Sequence, residues 1–481
     1  MEQSLDDVRV AMIGNVDSGK STMIGVLTGG LLDDGRGGAR SRIFRHGHEA
    51  ETGRTSAIAQ HIMGFDESDE AVHQQDNANS SARNKTISWS AVIEKSNRLV
   101  TFIDLAGHER YLKTTVQGLT GCFPDYACII VAANQGVLKM TKEHISVACS
   151  LRIPTMVLVT KVDMTPQNVL KHTYKQLVKL LKSPLAGRRM PLLLKSDAAV
   201  DELCNDDTLW HRACPILLVS SVTGHNLDRL QKLLRQLRPQ RAWLRQEPPL
   251  VTNDDGTQQP VDAEIEIDET FTYTLVVVYA SSCALMTCVH SVTGVGLVLS
   301  GTVTHGEVNK GDSMLLGPFD DGIWRRVLVR SLHQKRVSRE KALSGQSCSV
   351  ALRFVKTKER VDRAHIRRGM VLVNAPRPPI PAQRFEAQML VLHHPTTIKA
   401  GYEPVVHCGN VRQTARIVGM DKEFLRSGDS ATVVMSFVSH PEFLHVGRML
   451  IVRESNTKAI GRITKVIHSD DDIDERIHMS M

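Results

Sequence analysis

The run Gly14-Asn15-Val16-Asp17-Ser18-Gly19-Lys20-Ser21 constrains this chain more than any other stretch. It fits G-x-x-x-x-G-K-[ST], follows the apolar run Val8–Ile13, and opens a helical pattern at Thr22–Leu27 that stops at Gly29-Gly30. Strand, loop and helix in that order are the context a phosphate loop requires. Its glycines let backbone N–H groups curl round a β-phosphate, and the helix N-terminus adds its positive end. Lys20 then reaches the β- and γ-phosphates, while the Ser21 hydroxyl ligates Mg²⁺. Asn15, Val16, Asp17, Ser18 and Thr22 complete the expected contacts. The plain alternative, a glycine turn that only joins strand to helix, does not account for the full pattern.

Around the loop, residues 8–240 alternate between short β-branched apolar runs and helical patterns. The runs are Val8–Ile13, Leu99–Ile103, Ala127–Ala133, Met156–Val159 and Ile216–Val219; helices are expected over Thr141–Leu151, Gln167–Leu181 and Asn226–Leu237. Near-continuous apolar strands suit a parallel sheet buried on both faces, so the expectation is a doubly wound α/β domain. At the end of the run Leu99–Ile103 stands Asp104-Leu105-Ala106-Gly107-His108. Asp104 is placed there to hold Mg²⁺ through water, and Gly107 can offer its N–H to a γ-phosphate because no side chain blocks the approach. His108, directly after, is a candidate for positioning an attacking water. Thr160-Lys161-Val162-Asp163 ends the next strand but one. Asp163 can accept both N1–H and the exocyclic amine of guanine, a pattern adenine lacks. The Lys161 stem would stack on the base, and the turn Ser220-Ser221-Val222 can present a backbone N–H to its O6. Each base segment alone is a weak signal. Together, and in this order, they select GTP over ATP.

Beyond Pro239 the character changes. Residues 241–270 carry Pro248, Pro249, Pro260 and many acids, and are expected to be a linker. From about residue 291 short strands recur between Gly- and Asp-centred turns: Val303–Val308, Ser313–Leu316, Arg326–Leu332, Phe385–Val391 and Ala431–Phe437. Without long helical patterns, this half reads as all-β barrels, divided at Pro376–Pro381. Nine cysteines in 481 residues, none in a CxxC pair, make neither a disulfide framework nor a zinc ribbon, so reduced thiols are expected. The acidic start is no signal peptide, and the longest apolar run, Leu275–Val289, is broken by Ser281, Ser282 and Thr287, too short to span a bilayer. A net charge of +7 is compatible with an RNA-rich partner.

These motifs resemble the translational GTPases, of the elongation factor Tu and elongation factor 1-alpha type. Val16-Asp17 inside the loop and His108 directly after DxxG carry that likeness. A narrower resemblance, to the GTP-binding protein 1 and 2 family, rests on Glu51–Ser56 with Met63–Asp66, Asp104–Thr115 with Gly118–Ala133, Met140–His144, Gly294–Thr302, His407–Ala415 and Gly461–Val466. It covers about residues 8–467. The resemblance implies an α/β P-loop GTPase domain (1–240), a linker (241–270) and two β-barrels (271–376 and 377–481). It makes Thr55 the switch threonine that reaches Mg²⁺ and the γ-phosphate, sets Asp17 beside the phosphates with a monovalent cation, and has His108 orient water when a ribosome docks. Lys20, Thr55 and His108 are thus the expected catalytic set.

Several departures stand out. Thr160 replaces the usual Asn, which weakens one contact to the loop and base edge. Arg54 precedes Thr55 where elongation factors have an apolar gate residue, so a gate formed by Val16 alone and slow intrinsic hydrolysis are expected. Switch I is read as a long segment, Gly35 to Phe65, whose Arg36, Arg40, Arg42, Arg45 and Arg54 are either a solvated loop or phosphate contacts. His46 and His48 beside Glu49 are read as polar surface rather than a metal site. Thr272–His290 has no counterpart in the family; it is read as an exon-boundary artefact, with a genuine added hairpin as the alternative. In the last barrel, Arg412, Arg416, Arg448, Arg453 and Arg462 are candidate RNA contacts, since 412–465 holds nine Lys or Arg against five Asp or Glu. The expected protein is a cytoplasmic monomer that partners ribosome and tRNA or another RNA, with no membrane and no DNA. The alternative is a GTP-dependent scaffold that recruits RNA-decay machinery and hydrolyses little.

Overall fold

A computed structural model describes residues 6–44, 49, 55, 58–73, 89–240, 250–252, 258–260, 263–274, 292–335, 337–355, 365–375, 378–454 and 457–467. They divide into two compact units, 1–241 and 242–481.

The first unit is built on eight strands: β1 (Asp6–Gly14), β2 (Ala59–Phe65), β3 (Ala71–Val72), β4 (Arg98–Asp104), β5 (Tyr126–Ala132), β6 (Thr155–Thr160), β7 (Met190–Leu193) and β8 (Ala213–Leu218). Their spatial order is β3-β2-β4-β1-β5-β6-β8-β7. From β4 to β7 the neighbours run parallel; β2 runs antiparallel to β4, and β3 to β2. The expected doubly wound, mostly parallel sheet is what forms. Val8, Val10 and Met12 of β1 alternate with Ala11 and Ile13, and all are buried, which explains why the strand reads as one apolar run. Helix α1 (Lys20–Gly29) and the helix Leu227–Gln236 add Met23, Ile24, Leu27, Leu230 and Leu234 to the same core. Trp210, 1 % exposed, packs edge-on against Tyr126 at 4.7 Å between ring centroids. The chain passes from β1 to one side of the sheet, then to the other at β5. The strand order therefore reverses at the carboxyl end of β1, where α/β sheets bind ligands.

Two expectations need correction here. The segment Gly35–Phe65 is not loop throughout: Ala59–Phe65 is β2, paired along its length with Arg98–Asp104, and Ile62, Met63 and Phe65 are buried. Gly38–Ser41 is a short helical turn, α2. Gln60 and His61 interrupt its apolar pattern and hid a strand that is largely buried on both faces. Arg45, His46, His48 and Arg54 lie outside the described residues.

The second unit holds no α-helix among the described residues. Its first strands are β9 (Leu250–Thr252), β10 (Gln258–Pro260), β11 (Ala263–Thr274), β12 (Val292–His305), β13 (Glu307–Asn309), β14 (Ser313–Gly317), β15 (Arg325–Gln334), β16 (Val337–Arg339), β17 (Lys341–Leu343), β18 (Ser347–Phe354) and β19 (Val371–Asn374). Six of them follow one another in the order β14-β19-β11-β12-β18-β15, and a β14–β15 pairing closes the ring. The expected linker is thus shorter than 241–270. Its last residues belong to β11, and Leu250–Thr252 pairs with Gln258–Pro260. Glu264-Ile265-Glu266-Ile267 alternates as a strand does, a period masked by counting its acids. Thr272–Thr274 lies in β11, and the rest of the apolar insert falls outside the described residues. The second ring, β20 (Arg384–His393), β21 (Val405–Cys408), β22 (Val411–Met420), β23 (Ser430–Phe437), β24 (Met449–Glu454) and β25 (Thr457–Ile467), is a closed barrel in the order β20-β23-β22-β21-β24-β25. Phe385, Met389, Val433, Met435 and Ile463 fill it. The seven described cysteines are free thiols; burial pushes Cys204 up to about 11 and Cys214 up to about 12.

A buried carboxylate ties the two barrels together. Arg367, just ahead of β19, donates from Nη1 to both oxygens of Glu442 at 2.9 and 2.8 Å. Gln413 Nε2 donates to the same carboxylate at 3.0 Å. The Glu442 side chain is 2 % exposed, and beside it Trp324 meets Phe443 edge-on at 5.4 Å. Glu442→Ala removes the carboxylate that Arg367 and Gln413 share and leaves Arg367 only Asp320 and the Pro318 and Pro441 carbonyls, a loss of about 3 kcal/mol. Urea denaturation of the full chain should show the barrel transition at lower denaturant; an unmoved midpoint would mean that this carboxylate contributes nothing to the joint.

Candidate functional site

The phosphate loop leaves β1 at Gly14 and enters α1 at Lys20. Gly19 takes φ 92° and Asp17 φ 58°, both in the left-handed region. Gly14 admits no side chain, since a Cβ there would stand 2.4 Å from the Ile130 carbonyl oxygen. Lys20 is buried, and its Nζ donates to the carbonyl oxygens of Gly14 at 3.1 Å and Asn15 at 2.8 Å. Ser18, also buried, donates from Oγ to the Asn15 carbonyl at 2.8 Å.

Three oxygens from separate segments meet at the head of α1. Ser21 Oγ donates to Asp104 Oδ2 at 3.0 Å, Thr55 Oγ1 donates to the same oxygen at 3.0 Å, and the two hydroxyls are 3.0 Å apart. Asp104, at the end of β4, keeps its other oxygen, Oδ1, buried with no hydrogen-bond partner among the described residues. Burial drives the Asp104 carboxyl above its ordinary range, partly offset by Lys20, Ser21 and Thr55, while buried Glu49 pushes it further up. Burial likewise lowers Lys20, against the pull of Asp104 and Asp17. Gly107 lies against the loop: a Cβ there would be 2.5 Å from both Gly14 O and Lys20 Nζ. Val16, Asp17, Gly19, Lys20, Ser21, Thr22, Arg40, Thr55, Gly107 and His108 line one cleft of about 440 Å³, counted to its open mouth. His108 accepts from the Arg110 N–H at Nδ1, 3.1 Å, capping the turn Glu109–Tyr111.

The elongation factor Tu GTP binding domain matches residues 6–240, and the elongation factor Tu C-terminal domain matches 378–467. GTP-binding protein 1 of Xenopus laevis is 43 % identical over 97 % of this chain, which spans 64 % of that relative's length. GTP-binding protein 2 of Mus musculus is 37 % identical over 96 % of this chain and 70 % of its own. The chain belongs to the GTP-binding protein 1 and 2 family. Among solved structures, a bacterial selenocysteine-specific elongation factor, EF-Sec, superposes with a TM-score of 0.62 at 20 % identity, covering 98 % of this chain and 61 % of its own, a likeness of fold.

Among the residues expected to meet a base, Thr160 and Ser220 end side by side, because β6 and β8 are neighbours. Ser220 Oγ accepts from the N–H groups of Val222 and Thr223 at 3.2 and 3.1 Å, which shapes the turn. Lys161 takes φ 60°, and Asp163 is exposed. These residues stand apart from those that line the phosphate cleft, and Thr160 joins the two groups: its Oγ1 donates to the Ser18 carbonyl at 2.7 Å. On the loop side, then, the threonine hydroxyl itself supplies a hydrogen bond at the position where a contact weaker than asparagine's was expected. Glu49 was read from the sequence only as polar surface beside His46 and His48, and it is buried; Arg40 was one of five loop arginines. Burial and packing, absent from any motif, distinguish them.

The five barrel arginines do not form one surface. Arg412 and Arg416 lie on β22 and Arg462 on β25, three strands apart in either direction round a six-strand ring, hence on opposite sides. Arg416 also pairs with Glu403 at 2.6 Å. Spacing in sequence conceals such a separation because only barrel closure creates it. Thr160→Val deletes one hydroxyl at nearly constant volume and should destabilise the first unit by about 1 kcal/mol, read from its urea midpoint. Equal midpoints would make the tie to Ser18 energetically idle.

Proposed function

We propose that this chain binds GTP with Mg²⁺, hydrolyses it to GDP and phosphate, and works as a translational-type switch with ribosome and RNA. The observation that carries the reading is the convergence of Ser21, Thr55 and Asp104 beside a buried Lys20. In this reading the loop N–H groups and Lys20 hold the phosphates, and Gly107 offers its N–H where the γ-phosphate would lie. Ser21 and Thr55 would hold Mg²⁺ directly and Asp104 through water; the buried, unpartnered Asp104 Oδ1 fits that donor set. Once bound, Mg²⁺ neutralises charge on the phosphate oxygens. Asp163 reads guanine, Lys161 stacks on it, and the Ser220–Val222 turn meets its O6.

Hydrolysis breaks the bond between the γ-phosphorus and the bridging oxygen as a water oxygen attacks in line, and GDP departs. His108 is the positioning residue for that water. With Nδ1 accepting from Arg110, the neutral ring carries its proton on Nε2, so it orients the water by donation. The ribosome and an RNA are the partners proposed on the strength of the family. On the last barrel the face offered to RNA is β24–β25, where Arg453, Lys458, Arg462 and Lys465 sit on adjacent strands.

His108→Ala should cut GTP turnover on ribosomes at least about 100-fold while leaving GTP affinity within about twofold; single-turnover assays with and without ribosomes test both. Wild-type turnover that ribosomes fail to raise would remove the ribosomal part of the reading. Asp163→Asn should lower GTP affinity by about 100-fold or more, because an amide nitrogen cannot accept from guanine, measured by fluorescent-nucleotide titration.

A further inference from the structure

Among the described residues, Arg40 is the one cleft-lining cation whose role no motif supplies, and its setting is built rather than incidental. Its turn, α2, is held from three directions. Ala39 is buried against α1, and its carbonyl comes so close that a Cβ at Gly25 would stand 2.3 Å from it. Asp33, 8 % exposed, accepts from the N–H groups of Ala39 at 2.9 Å and Gly35 at 3.1 Å. The Asp33 N–H in turn donates to the Ser221 carbonyl, 2.9 Å away, in the turn assigned to guanine. Ile43, just beyond, is buried in the main core. Gly37 (φ 93°) leaves the space that the Arg40 side chain crosses, since a Cβ there would lie 2.5 Å from Arg40 Nε. Arg40 is half-buried, and among the described residues no carboxylate or side-chain acceptor engages its guanidinium.

A guanidinium held half out of water at the wall of a cleft, with no acidic partner, suits a ligand that brings several anionic oxygens in a plane-matching array. The cleft also presents Lys20 and the N-terminus of α1, so its ligand is anionic on independent grounds. We propose that Arg40 is a further phosphate ligand of this chain, a cation delivered in cis by the pinned turn 33–43 to the phosphate chain of the bound guanine nucleotide. This inference rests on the nucleotide reading above and adds to it a contact that neither the loop nor the DxxG motif provides. The guanidinium donates two N–H bonds to phosphate oxygens, and Asp33, through Ser221, ties the turn that holds it to the turn proposed to meet the base.

The test uses the full chain with fluorescent GTP and GDP in magnesium buffer. Arg40→Ala should weaken binding about 10- to 100-fold, the range of a charge-assisted hydrogen bond, and Arg40→Lys should recover part of it. Loss for both nucleotides places the contact on the α- or β-phosphate; loss for GTP alone places it on the γ-phosphate. Arg42→Ala, from the exposed neighbour on the same segment, is the control and should bind as wild type. Unchanged affinity in Arg40→Ala overturns the proposal. So does a loss that Arg42→Ala matches, or one accompanied by a lower melting midpoint of the nucleotide-free chain, since either marks a structural part. A wild-type chain that binds no guanine nucleotide overturns it together with the reading beneath it, and is told apart because the failure is then not confined to the variant.

Discussion

The rest of the first unit is arranged around a lysine and an aspartate taken out of water at the head of one helix. Lys20 is lowered and Asp104 raised by the same burial, so each disfavours its own charged form even with the other nearby. Carbonyls of Gly14 and Asn15 hold the ammonium, and hydroxyls of Ser21 and Thr55 hold one oxygen of the carboxylate. A nearby second carboxylate, Glu49, works against Asp104 rather than for it. Such a constellation is poor at stabilising a fold and well suited to anionic oxygens and a divalent cation arriving together. The close approaches at Gly14, Gly107 and Gly25 make the same point sterically, since each lets a backbone come within a distance that a methyl group would forbid.

Much of this was legible beforehand because it is local. A phosphate loop needs a strand, a glycine turn and a helix within some twenty residues, and Val8–Leu27 writes all three in order. The helix Gln167–Leu181 likewise emerges with the bounds that its period of apolar residues indicates. What escaped was written across distance. Whether Ala59–Phe65 is loop or strand depends on its pairing with β4, some forty residues on, and whether Ile265 and Ile267 sit in a linker or a ring depends on β12 and β19. The reach of Thr160 to the Ser18 carbonyl was hidden likewise, because the two lie 142 positions apart. Arg40 stood level with four other arginines until packing against α1 singled it out.

The joint between the barrels shows how a polar group can be used without being exposed. Glu442 is enclosed, yet each of its oxygens has a donor, and its backbone also bridges to Ala382 in both directions, at 2.7 and 2.9 Å. Aromatic packing of Trp324 on Phe443 covers the same spot. A charge so satisfied costs little while intact and much when half removed.

The closed six-strand ring bears a last consequence. With Arg412 and Arg416 at one bearing and Arg462 at the reverse, positive charge is not confined to the β24–β25 face, although that face is the richer one. A polyanion meeting such an object would feel attraction from more than one heading before it settles on the richer face. Selecting one pose among many then falls to contours and short-range fit, which long-range attraction cannot dictate.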